Sequence, residues 1–150
     1  MTSSISTLGV DLELVTHRGD QEIQWREVSF HHAEHHIAHQ LPEDRQPEVY
    51  TTMWTSKEAT AKALSALGVS SGLGSPKRWE VTRWMPTVTQ TQAINDAPLV
   101  LGIPTLASGT CHVTYLERPE YTLISRWWIF ERANKRWALS LTSMDTTLKS

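Results

Sequence analysis

The chain has a single cysteine, Cys111, among its 150 residues. No internal disulfide can form, and a four-cysteine zinc site is excluded. No stretch approaches the roughly 20 consecutive apolar residues of a membrane-spanning helix. The opening MTSSISTLG lacks a basic segment followed by an apolar run, so a secretory leader is not expected and a soluble, reducing, cytoplasmic setting is. Neither a G-x-x-x-x-G-K loop nor a G-x-G-x-x-G turn occurs, which excludes the two standard backbone cradles for phosphate. A strong charge excess is missing too. The formal net charge of −2 gives no global pull toward nucleic acid or an acidic membrane surface, and neither is expected as a partner. No internal repeat or low-complexity tract is visible.

What remains is the composition of a globular domain, with 39% apolar and 20% charged residues. A chain of this length is one ordinary domain and hides roughly 68–70% of its unfolded surface. Residues 8 to 15, LGVDLELV, alternate as a strand. Leu8, Val10, Leu12 and Leu14 are expected to form its buried face. Residues 16 to 21 read as a loop, and a polar helical region follows to about Gln40. LPEDRQP, residues 41 to 47, reads as a loop, and a helix rich in Ala, Leu and Lys runs from about Glu48 to Leu67. A glycine- and serine-rich turn then leads into a strand, RWEVTRW. TCHVTYLE and YTLISRWWIF form a hairpin around Arg118-Pro119. The last 20 residues are expected to begin as a helix and end without regular structure. Strands and helices are mixed without a βαβ rhythm, which predicts an α+β fold.

Three constellations carry chemistry. Asp11 and Glu13 share a strand face about 7 Å apart. They are either solvated at a sheet edge or hold a divalent cation. On the long helix, Glu58 and Lys62 are four apart and share a face, with Lys57 on the adjoining side. Alone this is a surface ion pair, or a capping box made by Thr55 and Glu58. Together, three acids and two lysines suit Mg²⁺ holding a diphosphate, because Mg²⁺ takes few carboxylates and keeps places for phosphate oxygens. The third constellation is FHHAEHH, residues 30 to 36. His31, Glu34 and His35 spell H-x-x-E-H, a pattern used by some zinc hydrolases, while a solvated histidine face is the plainer reading.

The first two motifs resemble those of the 4'-phosphopantetheinyl transferase superfamily. Gly9-Val10-Asp11-Leu12-Glu13 is similar to its G-[VI]-D-x-E strand. Trp54-Thr55-Ser56-Lys57-Glu58-Ala59 through Lys62 is similar to its [FW]-[SCT]-x-K-E-[SA]-x-x-K helix. Phe30-x-x-x-Glu34, the SGLG turn at residues 71 to 74, and the hairpin extend the resemblance to roughly residues 8 to 130.

The resemblance implies one transferase-like domain with a small antiparallel sheet packed against helices. It also implies an activity, that of a holo-[acyl-carrier-protein] synthase. The phosphopantetheine arm of coenzyme A moves to a serine of an acyl or peptidyl carrier protein, releasing adenosine 3',5'-bisphosphate. Asp11, Glu13 and Glu58 would hold Mg²⁺. Lys57 and Lys62 would contact phosphate, Lys62 would steady developing charge, and Glu58 is a candidate base. Arg18, Arg45, Lys77 and Arg78 are available for the adenosine end, and the motifs assign none of them. The length fits the short, single-copy members, yet Asp11-Leu12-Glu13 resembles the larger surfactin-type enzymes, which contain two copies. A homo-oligomer with coenzyme A across a subunit interface is therefore implied. A trimer follows from the short type, and a dimer mimicking the tandem enzymes is its rival. A non-catalytic carrier-docking domain of the same fold is the alternative function, with the zinc hydrolase behind it.

Overall fold

A computed structural model describes residues 2–15, 21–87 and 105–149. Strand β1 (Thr2–Leu14) is followed by helices α1 (Glu22–Ser29), α2 (His32–His39) and α3 (Gln46–Ala66), then by strands β2 (Trp79–Pro86), β3 (Thr105–Tyr115), β4 (Thr122–Arg132) and β5 (Lys135–Lys149). The strands form one antiparallel sheet in the order β1-β5-β4-β3-β2, and the fold is α+β. No helix among the described residues is long and apolar enough to cross a membrane.

Helix α3 lies against one face of the sheet and is buried along most of its length. Tyr50, Met53 and Leu64 meet Trp79, Val81, Val113, Trp127 and Ile129 in the core. Trp79 stacks on Tyr115 with ring centroids 4.3 Å apart, and Trp84 on Trp127 at 5.1 Å. Cys111 is buried in β3, and burial pushes its thiol up to about 12, as befits a small core residue.

Four expectations need correction. The helical region after residue 21 is two short helices, interrupted at Phe30 and His31, because Phe30 turns extended to enter the core. The proline-containing segment after Leu41 is a short 3-10 turn, Glu43–Arg45, and Pro47 already sits in the first turn of α3, where its missing N–H is no loss. The tail is strand β5, inserted between β1 and β4. Its inward face carries the small residues Ala138, Ser140 and Thr142, which gave no strand-like alternation of large apolar side chains. Ala133 and Asn134, both with positive φ, make the tight turn that returns the chain from β4.

The fourth correction concerns β1. Its leucine face is not the buried one: Leu8, Val10 and Leu12 are exposed, while Thr7, Gly9 and Asp11 face α3. Helix and strand approach so closely that a Cβ on Gly9 would lie 1.7 Å from the Ala59 carbonyl oxygen. No leucine fits there. The contact is instead made by small and hydroxyl side chains, with Thr55 Oγ1 2.7 Å from Ser140 Oγ and Thr60 Oγ1 3.1 Å from Thr142 Oγ1.

Candidate active site

From Val49 to Leu64, every residue of α3 is buried except Trp54, Glu58 and Lys62. Their spacing of four puts them in one stripe along the helix. Edge strand β1 runs beside that stripe and turns Asp11 and Glu13 toward it. One carboxylate oxygen from each of Asp11, Glu13 and Glu58 lies within 4.8 Å of the others.

Three acids this close repel one another. Burial pushes the Glu58 carboxyl up to about 8, helped by a hydrogen bond and repulsion from Asp11 and by repulsion from Glu13. Lys62 opposes the shift. Its ammonium donates to Asp11 Oδ1 at 3.1 Å and to the Val10 carbonyl at 2.9 Å. Asp11 is 8% exposed, and its second oxygen, Oδ2, is buried without a donor from the described residues. A proton shared with Glu58 relieves this arrangement, and so does a cation. An all-oxygen donor set is the hard type that suits Mg²⁺. The residues fit such an ion.

Lys57 is elsewhere. At about 100° per residue, it sits around the helix from Glu58. Its ammonium is fully buried, 2.8 Å from Glu34 and 3.0 Å from the Ser29 carbonyl, over the face of Phe30. Glu34, also fully buried, accepts the backbone N–H groups of His31 at 2.7 Å and Val81 at 2.9 Å. The structure thus brings Asp11, Glu13, Glu58 and Lys62 together and takes Lys57 away from them. The sequence pattern singled out Phe30 and Glu34 without a role. Their role is to receive Lys57.

Arg45 is exposed in the turn before α3, roughly 20 Å along the helix axis from Glu58. It lines a shallow cavity with Glu48 and Arg136. Arg78 pairs with Glu117 at 3.2 Å. Arg18 lies outside the described residues. Trp127 and Trp128, neighbours on β4, are both buried.

The described histidines do not gather into a metal site. His31 caps α2 in a capping box with Glu34, and its Nε2 donates to the Lys77 carbonyl at 2.8 Å. His35 Nδ1 is 2.7 Å from the Tyr50 hydroxyl. Burial, then the charges of His39 and His32, lower the pKa of His35. With Glu34 committed to Lys57, the H-x-x-E-H pattern has no carboxylate free for zinc chemistry.

A family model described as the 4'-phosphopantetheinyl transferase superfamily matches residues 7–122. The chain belongs to that superfamily. Phosphopantetheine transfer, with coenzyme A as donor and carrier proteins as acceptors, is the general activity of these transferases. Among curated proteins none matches the chain. The matched segment takes in residues 7–14 of β1 and all of α3, so it contains every acid of the cluster and both lysines.

Proposed function

We propose that this domain is a Mg²⁺-dependent phosphopantetheinyl transferase of the holo-acyl-carrier-protein synthase type. It moves the arm of coenzyme A to a serine hydroxyl of an acyl or peptidyl carrier protein, in the cytoplasm. The observation that carries the reading is the convergence of Asp11, Glu13 and Glu58 within 4.8 Å, with Asp11 Oδ2 buried and given no donor by the described residues.

The serine oxygen bonds to the phosphorus next to pantetheine. The bond from that phosphorus to the bridging diphosphate oxygen breaks, and adenosine 3',5'-bisphosphate leaves with the electron pair. Asp11, Glu13 and Glu58 would hold the ion. When bound, it supplies charge neutralisation at the diphosphate and acidifies the attacking hydroxyl. Glu58 would take the serine proton from its ionised form, which a bound cation favours over the protonated one. Lys62, about half exposed at the rim of the cluster, would meet the charge that grows on the leaving bisphosphate.

The same proposal includes a homo-oligomer. Leu8, Val10 and Leu12 on β1 and Ile124 on β4 are exposed on the sheet face away from α3. A second or third copy covering that face would protect them from water.

The test is direct. The protein is mixed with Mg²⁺, coenzyme A and several apo carrier proteins, and carrier mass is followed. A phosphopantetheine adduct is expected with wild type and His35→Ala and absent with Glu58→Gln. No adduct on any carrier would overturn the reading in favour of a docking domain. Retention in Glu58→Gln would remove the acid cluster from the reaction, and a zinc-dependent hydrolysis lost in His35→Ala would restore the zinc alternative. Light scattering after gel filtration separates monomer, dimer and trimer.

A further inference from the structure

We propose that the buried pair Lys57–Glu34 is a positioning device that fixes the rotation of α3, and with it the aim of Glu58 at the two acids of β1. The inference rests on reading Asp11, Glu13 and Glu58 as cation ligands.

Those ligands come from two elements separated by the chain segment that holds α1 and α2. Asp11 and Glu13 move with the edge strand, Glu58 with the helix. Whatever fixes strand against helix fixes the ligand geometry. The close approach at Gly9 sets the separation, since the Ala59 carbonyl would be struck by any Cβ there. It sets the rotation poorly. The contact surface is made of Ser, Thr and Ala, and its hydroxyls exchange donor and acceptor roles. Thr55 Oγ1 and Ser56 Oγ both reach the same Ser140 oxygen, at 2.7 and 3.1 Å, so a small turn of the helix trades one for the other.

The directional contact lies on the other side of α3. Lys57 is the residue next to Glu58, and its ammonium meets three groups within residues 29–34. These are the Glu34 carboxylate on α2, the Ser29 carbonyl at the end of α1, and the ring of Phe30, with Nζ 4.8 Å from its centroid. Glu34 in turn accepts from Val81 on β2 at 2.9 Å and from the start of α2 at 2.7 Å. Both side chains are fully buried, and their partners fill the donor and acceptor places an isolated buried pair would leave empty. Such a pair is poor at adding stability over an apolar substitute but good at selecting one arrangement. Here the arrangement selected is the one that points Glu58 at Asp11. Lys57 acts through Glu58 and touches neither the acids nor, on this geometry, a ligand they would hold.

The experiment measures Mg²⁺ and Mn²⁺ binding to the full chain by calorimetry and by thermal shift, alongside the KM for Mg²⁺ in the transfer assay. The informative variant is the double Lys57→Met, Glu34→Gln. It removes both charges at once, so the net charge and the field at the acids change little, and it leaves no unpaired buried ion. Cation binding should weaken about ten- to hundredfold, the usual effect of losing a group that orients a metal ligand. The KM for Mg²⁺ should rise while kcat at saturating Mg²⁺ stays close to wild type. Val113→Ala, a core truncation distant in sequence from the cluster, supplies the comparison for lost stability alone and should bind the cation like wild type. If the double does not fold, Glu34→Gln alone keeps the shape and an acceptor for Lys57, and a partial loss of cation affinity is expected from it. Unchanged cation affinity in the double, or in Glu34→Gln if only that folds, overturns the inference. So does an equal loss in Val113→Ala. A wild-type protein that binds no cation overturns the metal-site reading instead, and one that binds cation yet modifies no carrier overturns the transferase proposal while leaving the positioning result standing.

Discussion

Two lysines five residues apart on the same helix each meet an acid from another element. They do different work. Lys57 and Glu34 are both fully buried, whereas the Lys62 side chain is 54% exposed above an Asp11 that is 8% exposed. The first pair is enclosed by protein on all sides. The second has solvent on one side and an acid cluster on the other. A buried pair is hard to break because the survivor is stranded, while an exposed lysine swings away at little loss. The inner pair is therefore suited to holding the fold in one arrangement, and the outer lysine to meeting a ligand.

Breaking each pair singly should expose this division. Lys57→Met leaves Glu34 buried with its charge unpaired. It should lower unfolding free energy by about 3–5 kcal/mol, measured by urea denaturation, and part of that loss should return when Glu34→Gln is added. Lys62→Met should behave the opposite way. Its stability should stay within about 1 kcal/mol of wild type, since the pair it breaks is solvated on one side. Its transfer rate should fall about 10²–10³-fold, the usual effect of losing one group that meets developing charge. Equal stability losses in the two variants, or a normal rate in Lys62→Met, would erase the distinction drawn between them.

The sequence made some of this legible and hid the rest for identifiable reasons. The long helix and the β3–β4 hairpin were visible because their residues follow the periods of their own elements. The acid cluster was visible because Asp11, Glu13 and Glu58 stand in two specific motifs. The sidedness of β1 was hidden. Its leucines alternate as a core face should, yet the helix sits too close for them, and Gly9 is the residue that reveals it. β5 was hidden because its inward face, Ala138-x-Ser140-x-Thr142, is built from residues that also occur in loops. Lys57 was legible on the side adjoining Glu58 and Lys62, but what it meets there was not. Helical geometry puts Glu58 and Lys62 on one face and turns Lys57 away from it. The distinction depends on Glu34, more than 20 residues earlier, being buried within reach, which no local pattern announces.

The smallest effect concerns protons and sharpens the comparison on its outer side. Glu58 titrates at about 8 in the folded, ion-free protein against an ordinary value of 4.5, chiefly through burial and then through Asp11 and Glu13. The folded state thus binds a proton that the unfolded state releases between those two values. Its contribution to stability is fully present below about pH 4.5 and is lost as pH rises through about 8. The melting temperature of the ion-free protein should therefore drift downward from pH 6 to pH 8.5. Mg²⁺ competes with that proton, so the rise in melting temperature on adding saturating Mg²⁺ should be larger at pH 8.5 than at pH 6. Glu58→Gln should flatten the drift and shrink the Mg²⁺ effect. Lys57→Met should keep the drift, because its ammonium pairs with Glu34 and not with the cluster. A drift that vanishes in Lys57→Met and persists in Glu58→Gln would show that the inner pair, not the outer cluster, carries the titration.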